Sequence, residues 1–422
     1  MQNENPTYSE RYKAYVLLIL TGVYAFNFID RQILIILQES VKEDLNLSDT
    51  QLGLMTGLAF AFFYVTLGIP VARLADKTNR RNVIAVSLAL WSLMTALSGM
   101  VMNFIQMLLA RVGVGIGEAG GSPPAHSIIS DYFPPEKRAT ALSIYSTGIY
   151  IGIFFGFFAG GWLDEHLGWR TAFLVVGLPG FLYALILLFS VKEPKRGLFD
   201  DQTKKAVSDA SFLKTLKFLA SKKTFVLLAL AGGVHNFGQY GVGNFFAPFL
   251  ARVHGMTSGE IGTWLGLSMG FGGIIGTFAG GWLADRLGKR DLRWYLWIPV
   301  VALIVNLPFL GMIIFSPDKI VVLIFFFFSV FLTSLYLGPS LAVTQNLADS
   351  ESRALASAIL FFMYNFIGLG FGPLTVGALS DYLTPQYGNE SLRYAYCIMF
   401  FTGTIAAWLF YRASKFYEKE IL

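Results

Sequence analysis

Four charged side chains lie inside apolar stretches of this sequence. Asp30 and Arg31 stand in the middle of AFNFIDRQILIIL, and Arg111 and Glu118 stand in RVGVGIGEAGGSPPA. On an α-helix, the seven-residue spacing of Arg111 and Glu118 puts both on one face, roughly 10 Å apart along the axis. A charge in the middle of a membrane-spanning helix costs about 3 kcal/mol on the milder insertion scales, so such residues usually have a function. We therefore interpret both stretches as functional helices.

The two carboxylates could carry protons. Burial opposes the charge of a carboxylate and a nearby arginine favours it, so its protonation can change as a cavity opens and closes. This interpretation makes Asp30 and Glu118 the proton-coupling residues. The alternative is a structural salt bridge between the first and fourth apolar runs, pairing Asp30 with Arg111 or Arg31 with Glu118. The coupling and the structural interpretation are compatible, because a salt bridge that breaks when its carboxylate is protonated couples proton binding to a change of structure.

Arginines that face a cavity are natural anchors for phosphate or carboxylate groups, through bidentate charge-assisted hydrogen bonds. A second polar run, GGVHNFGQYGVGNFF, places several polar side chains at helical spacing, and such groups in lipid need partners or water. For His235 alone, the alternative is a hydrogen-bonded interior histidine. The predicted substrate-binding residues are Arg31, Arg111, His235, Asn236, Gln239, Tyr240, Tyr364 and Asn365.

The composition is that of a membrane protein. Of 422 residues, 55% are hydrophobic and 14% are charged, whereas soluble domains carry about 25% charged residues. We interpret the net charge of +5 as a bias of cytoplasmic loops and expect no nucleic-acid partner. The sequence contains no Walker motif, zinc-ligand motif or nucleophile–base pair, so we expect no ATP-driven step, cofactor, metal or enzymatic activity.

Twelve apolar runs are long enough to cross a bilayer, which takes about 20 residues each. They fall roughly at 14–37, 51–71, 83–102, 104–130, 140–163, 171–190, 224–250, 260–283, 294–315, 319–345, 354–380 and 392–412. The predicted domains are a six-helix bundle over 1–190, a cytoplasmic linker over 191–223 and a second six-helix bundle over 224–422. Within the linker, SFLKTLKFLASKK alternates apolar and basic residues and predicts an amphipathic helix on the membrane surface.

The distribution of basic residues predicts the orientation. Of 32 lysines and arginines, 25 lie at the termini, in the even-numbered loops and in the linker, and only five lie in the odd-numbered loops. Cytoplasmic loops carry the excess of positive charge, so both termini are predicted to be cytoplasmic.

A loop pattern recurs after every third span, as ARLADKTNRR, GWLDEHLGWR, GWLADRLGKR and GALSDYLTPQ. Each copy has an acid four residues after its first residue, namely Asp76, Glu165, Asp285 and Asp381. Four copies at this interval indicate a three-helix unit whose alternate copies are inverted in the membrane.

This pattern closely resembles the major facilitator superfamily. GWLADRLGKR fits its loop signature at every defined position, whereas the first copy has Ala72 and Asn79 in place of glycines. FIDRQIL, RVGVGIGEAGGSPPA and ISDYFPPEKRATALSIYSTG are similar to the spinster subfamily. The resemblance favours Asp30 and Glu118 for proton coupling and implies an amphipathic lipid substrate of the lysophospholipid or sphingosine-phosphate type. It also implies gating roles for Asp76, Arg80, Asp285, Arg286 and Arg290.

The sequence thus predicts an all-α integral membrane protein of twelve transmembrane helices, with two six-helix bundles built from 3+3 inverted repeats. We expect a proton-coupled secondary transporter that works by alternating access as a monomer in the inner cell membrane. Its expected partners are the substrate, protons and membrane lipids. One alternative is a proton-coupled transporter of small organic anions or drugs. Another, from a different class, is a membrane receptor or enzyme that does not transport.

Overall fold

The computed structural model describes residues 8–199, 212–349 and 352–421. Within these ranges the chain is helical and traces twelve membrane-crossing segments, which we number as spans 1 to 12. Apolar side chains cover much of the outer surface, as expected where hydrocarbon replaces water and each helix satisfies its own backbone. The predicted all-α fold of twelve helices is confirmed.

The bounds of the first six spans are as follows: Glu10–Leu45 for span 1; Asp49–Gly53, Leu54–Leu58 and Ala59–Lys77 for span 2; Arg80–Ser98 for span 3; Phe104–Glu118 and Ser122–Tyr132 for span 4; Pro135–Leu167 for span 5; and Trp169–Ser190 for span 6. We call these spans the N-terminal half. Within it, span 1 packs along span 5, and span 3 packs along spans 4 and 6.

The other six spans form the C-terminal half. They are Lys223–His254 for span 7; Ser258–Leu267, Ser268–Gly272 and Gly273–Gly288 for span 8; Trp294–Phe315 for span 9; Lys319–Ser334 and Leu337–Leu347 for span 10; Arg353–Tyr387 for span 11; and Ser391–Ala395 and Ile398–Glu420 for span 12. Span 7 packs along spans 11 and 12. The halves meet chiefly where span 2 lies against span 11 and span 5 lies against span 8.

Matching irregularities occur in corresponding spans of the two halves. Spans 2 and 8 each contain a π-helical turn, and spans 4 and 10 are each broken into two helices. Span 4 breaks after Glu118 and resumes at Ser122. Pro123 and Pro124 lie in the first turn of the second helix. Backbone N–H groups in a first turn have no partner within the helix, so the N–H that proline lacks costs no helical hydrogen bond. The predicted break beyond Glu118 is confirmed.

The linker contains a helix over Phe212–Ser221. Its buried residues Thr215 and Leu219 face the protein, and the helix contacts spans 7 and 11, while Lys214 and Lys217 are exposed. The apolar face is therefore covered by the C-terminal half, whereas the sequence had suggested that it lies on lipid. Residues 200–211 of the linker, which precede this helix, lie outside the described residues.

Candidate functional site

Glycines on span 4 let this helix approach its neighbours closely. A Cβ atom on Gly117 would lie 2.8 Å from the backbone nitrogen of Trp91 on span 3. A Cβ atom on Gly115 would lie 3.0 Å from the carbonyl oxygen of Phe60 on span 2. Small residues are used in this way where helix backbones must touch in lipid. The close packing holds the charged side chains of span 4 inside the N-terminal half.

Arg31 and Glu118 form a salt bridge between spans 1 and 4. The Nε of Arg31 donates to Oε2 of Glu118 at 2.5 Å, and the side chain of Glu118 is fully buried. Three rings surround the same guanidinium, with centroids 5.1, 5.0 and 4.7 Å away for Phe28, Phe60 and Tyr64. These distances suit cation–π attraction, which is stronger where water is excluded.

Asp30 points away from Arg31, as expected for adjacent residues on a helix. It is 0% exposed, and its Oδ2 accepts a hydrogen bond from the hydroxyl of Ser92 on span 3 at 3.3 Å. Arg111 donates to the backbone oxygen of Asp30 at 3.4 Å, so it holds the main chain of span 1. Of the two salt bridges that the sequence left open, the structure contains the one between Arg31 and Glu118.

The buried carboxylates of Asp30 and Glu118 accept few hydrogen bonds. One oxygen of Asp30 and one of Glu118 have no hydrogen-bond partner, and neither does the Nε of Arg111. Asp49 shows the opposite case, because it receives bonds of 2.6–2.8 Å from Lys42, Arg252 and Ser380. A carboxylate held by several donors resists protonation, whereas one with few donors can accept a proton at little cost in lost bonds.

A small cavity lies between the halves, next to this cluster. Its volume is about 60 Å³, which leaves room for a few water molecules. Both halves line it, through Phe28, Arg31, Gln32, Ile35, Thr56, Phe60, Arg111, Tyr240, Asn244 and Leu369. Two guanidinium groups and several aromatic and aliphatic side chains therefore share one chamber.

Only part of the predicted substrate-binding set lines this cavity, namely Arg31, Arg111 and Tyr240. Asn244, which belongs to the same polar run as Tyr240, also lines the cavity. Gln32 and Thr56 were not predicted, although Gln32 directly follows the charged pair in FIDRQ. Thr56 gave no signal in the sequence, because a single threonine in an apolar run commonly bonds to its own helix, as this one does to Leu52.

His235 and Asn236 lie in the interior of the C-terminal half. The Nε2 of His235 lies 3.1 Å from the carbonyl oxygen of Thr333, and its ring meets Tyr336 edge-on at 4.5 Å. The amide of Asn236 donates to the hydroxyl of Tyr336 at 2.9 Å. Tyr364 packs beside Tyr336, with ring centroids 5.9 Å apart. These residues form a polar cluster between spans 7, 10 and 11, outside the cavity lining.

The last two predicted binding residues also lie outside the cavity lining. Asn365 donates to the carbonyl oxygen of Phe361 on its own helix at 2.9 Å. Gln239 is half-buried and makes no hydrogen bond to another described residue. Substrate roles for Gln239, Asn365 and the polar cluster stay predictions.

Three of the predicted gating residues, Arg80, Asp285 and Arg286, make contacts inside their own halves. Arg80 is 1% exposed and binds Glu193 at 2.7 Å as well as Asp131, which fixes the start of the linker to the N-terminal half. Asp285 accepts from the hydroxyl of Tyr295 at 3.1 Å.

The guanidinium of Arg286 lies 5.2 Å from the ring centroid of Trp282. The side chain of Arg290 makes no bond to another described residue, and the side chain of Asp76 lies outside the described part of the structure. The gating roles of all five residues stay predictions.

The inverted copies of the loop acid join the two halves. We call the end where the odd-numbered loops lie the odd-loop end. There Asp381, at the end of span 11, accepts from the backbone N–H groups of Asp49 and Thr50 at 2.9 and 2.8 Å. These N–H groups begin span 2, where unpaired donors and the helix dipole favour an anion.

The same arrangement occurs at the junction of spans 5 and 8. Glu165 accepts from the N–H of Gly259 and from the hydroxyl of Thr257, both at 2.9 Å, and Asp164 accepts from the hydroxyl of Ser258 at 2.5 Å. An acid from one half therefore caps the first turn of a helix from the other half, at two equivalent places.

Arg252 adds ion pairs to this junction. It binds Glu39 at 2.7 Å and Asp49 at 2.7 and 2.8 Å, across the interface between spans 7, 1 and 2.

Nearer the middle, the hydroxyls of Tyr150 and Thr277 lie 3.1 Å apart. We call the opposite end, where the even-numbered loops lie, the even-loop end. There no hydrogen bond between two described residues joins the halves. The bonds between the halves are thus concentrated at one end.

Comparisons with known proteins agree with this architecture. A family model described as Major Facilitator Superfamily matches residues 20–373 and 237–421. The chain is 36% identical over 412 residues to an MFS-type efflux pump of Mycolicibacterium smegmatis, covering 96% of this chain and 93% of that protein. It is 27% identical over 434 residues to Protein spinster homolog 1 of Xenopus tropicalis, covering 98% of this chain and 82% of that protein.

A solved structure shows the same fold throughout. It is described as a bacterial homolog to the human lysosomal transporter Spinster, in an inward-facing and unoccupied conformation. It superposes with a TM-score of 0.92 at 32% identity, over 98% of this chain and 99% of that chain. The chain therefore belongs to the major facilitator superfamily of membrane transporters, and within it to the spinster subfamily.

Proposed function

We propose that the protein is a proton-coupled secondary transporter of an amphipathic lipid of the lysophospholipid or sphingosine-phosphate type. The observation that carries this proposal is the pair of under-bonded carboxylates, Asp30 and Glu118, beside two guanidinium groups at the cavity between the halves. Buried ionisable groups in a membrane-spanning segment are a common feature of proton and substrate pathways.

Coupling follows from the salt bridge between Arg31 and Glu118. When Glu118 binds a proton, the charge that holds the guanidinium disappears, and Arg31 becomes free to bind an anionic group of the substrate. When the substrate leaves, the guanidinium attracts the carboxylate again and favours loss of the proton. The carboxylate of Glu118 and the anionic group of the substrate therefore compete for one cation, Arg31.

The cavity lining suits an anionic headgroup with an apolar tail. Arg31 and Arg111 offer planar forks of N–H donors, which match phosphate oxygens. Phe28, Phe60 and Leu369 offer apolar surface in the same chamber. A volume of about 60 Å³ is too small for a lipid, so substrate binding requires the chamber to widen.

The asymmetry between the two ends supports alternating access, in which the halves rock around a central site. The excess of Lys and Arg at the even-loop end favours an orientation in the inner cell membrane with that end and both termini on the cytoplasmic side. Each basic residue of the odd-numbered loops has an acidic partner, in the pairs Lys42–Asp49, Arg170–Asp44, Arg252–Asp49, Lys319–Glu260 and Arg393–Glu390. With this orientation the outer end is the closed one, as alternating access requires of a state that does not open outward.

A second candidate function is proton-coupled export of small organic anions or drugs. The 36% identity to an efflux pump favours it, and the same charges would serve it. The two candidates differ in the tail of the substrate, because export of small anions has no need of a long acyl chain.

Transport by purified protein in proteoliposomes tests both candidates. We expect uptake or counterflow of lysophospholipids or sphingoid phosphates that is accelerated by a pH gradient. Transport of short-chain anions with no response to a lysolipid panel would favour the second candidate. Lysolipid transport with no response to the pH gradient would contradict the coupling.

A further inference from the structure

Span 3 forms an uncharged polar wall behind Asp30. Ser92, which bonds to the carboxylate at 3.3 Å, and Thr95 are both 0% exposed. Thr95 lies one helical turn beyond Ser92 and also next to the carboxyl group of Asp30. Two hydroxyls of one helix face therefore approach an acid that is closed off from solvent.

Polar atoms at this wall lack partners. The Oδ1 of Asp30 and the hydroxyl of Thr95 next to this carboxyl group are buried, and neither meets a partner at ordinary hydrogen-bond geometry. Each such atom costs about 1–3 kcal/mol when its bond is left unmade. A group of them in one place is commonly satisfied by an internal water molecule, which makes about three hydrogen bonds.

This wall is separate from the cavity between the halves. Arg31 and Arg111 line the cavity, but Asp30, Ser92 and Thr95 do not. Arg111 lines that cavity and also donates to the backbone oxygen of Asp30, so a cation, which repels a proton, lies on the cavity side of Asp30. Among the residues that the structure describes, the charged groups that act on Asp30 are Arg111 and Glu118, which both belong to span 4, so span 3 brings no cation to this side of Asp30.

We propose that Ser92 and Thr95, with at least one internal water, form a proton-transfer site behind Asp30, inside the N-terminal half and apart from the substrate cavity. A proton that arrives at this water as hydronium passes to the Oδ1 of Asp30, which leaves a neutral water molecule and a neutral carboxylic acid, and release of the proton reverses the step. The hydroxyls are positioning residues that hold this water. This inference rests on the proposed proton coupling.

The test replaces the hydroxyl of Thr95 without changing the shape of the side chain. We expect Thr95→Val to lower pH-driven uptake by about tenfold, as for the loss of one hydrogen bond, and to shift its pH profile, while exchange at symmetric pH and substrate binding stay as in the wild type. Thr95→Ser, which keeps the hydroxyl, should restore pH-driven uptake. Ser98→Ala is the matched control, because Ser98 is equally buried on span 3 but already bonds to the backbone of Met94 at 2.9 Å.

Infrared difference spectroscopy gives a readout that does not depend on transport. The carbonyl band of protonated Asp30, identified by its loss in Asp30→Asn, should move to higher wavenumber in Thr95→Val and stay in place in Ser98→Ala. A band unchanged in Thr95→Val, or equal losses of exchange and pH-driven uptake, would overturn the inference. If Asp30→Asn itself keeps pH-driven uptake, the coupling role of Asp30 fails and this inference fails with it, whereas the coupling through Glu118 is tested separately by Glu118→Gln.

Discussion

At the scale of single residues, the number of donors around each buried acid separates two kinds of carboxylate. Asp49 is held by two cations and a hydroxyl, so its charge is part of the structure. Glu118 has one cationic partner and an oxygen with no bond at all. The first arrangement suits a permanent ion pair. The second suits an acid that changes its protonation state.

This difference leads to a prediction for Glu118→Gln. Glutamine has nearly the shape of the protonated acid, so we expect a melting temperature near that of the wild type. Transport driven by a pH gradient should be lost, while binding and exchange at symmetric pH survive. Melting temperature, binding and uptake should be measured on the same preparations. Unchanged pH-driven uptake would contradict proton coupling at this residue, and a large fall in melting temperature would indicate a structural bridge.

A second prediction concerns Arg111→Lys. The guanidinium holds the backbone of Asp30 and lines the cavity, and an ammonium lacks the planar fork needed to bind a phosphate in two places. We expect KM for a phosphorylated lipid to rise by about tenfold or more, with a much smaller change for an analogue without phosphate. Arg412→Lys, at an exposed position of span 12 outside the cavity, is the control. An equal rise in KM for both lipids would show that Arg111 does not recognise the phosphate group.

At the scale of elements, the packing of span 4 depends on its glycines. Gly113 and Gly117 lie against Met94 and Trp91 of span 3, and Gly115 lies against Phe60 of span 2. The contact at Gly117 involves a backbone atom, which cannot rotate away. The charged residues of span 4 are therefore positioned by helix–helix contact as well as by their own salt bridge.

We predict that Gly117→Ala destabilises the protein by about 1–3 kcal/mol, the usual cost of overpacking. The added Cβ would lie 2.8 Å from the backbone nitrogen of Trp91 and must push spans 3 and 4 apart. Gly68→Ala is the control, because nothing lies within 4 Å of a Cβ atom there. Thermal unfolding in detergent measures both variants. Equal melting temperatures would show that the helices adjust without cost.

At the scale of the whole molecule, two acids hold the odd-loop end closed from equivalent positions. Asp381 caps the start of span 2, and Glu165 caps the start of span 8, each across the interface. Both belong to the repeated loop pattern, in the copies that the inverted repeat places at this end. Opening this end must break both caps and the ion pairs of Arg252.

We predict that Asp381→Asn shifts the protein towards states that are open at the odd-loop end, because a neutral amide interacts more weakly with the helix dipole. Spin labels on Met102→Cys and Asn389→Cys, in a Cys397→Ala background, would report the distance between the halves. A longer distance is expected in Asp381→Asn and no change in Glu43→Gln, an exposed acid at the same end. Equal distance distributions in both variants would contradict the latch.

Much of this protein follows from local sequence. The twelve spans follow from hydropathy, the break after Glu118 from the glycines and prolines, and the repeated acids from their spacing. Each of these properties depends on residues close together in the chain. The burial of charge in spans 1 and 4 was predictable for the same reason.

Tertiary packing decided how the helices are turned and what each charge meets. The sequence allowed two salt bridges, and the contact between spans 1 and 4 formed the one between Arg31 and Glu118. One polar run of span 7 sends Tyr240 to the cavity and His235 into the interior. The rotation of a helix about its axis depends on neighbours that are distant in sequence, and so does the choice of which end of the molecule is closed.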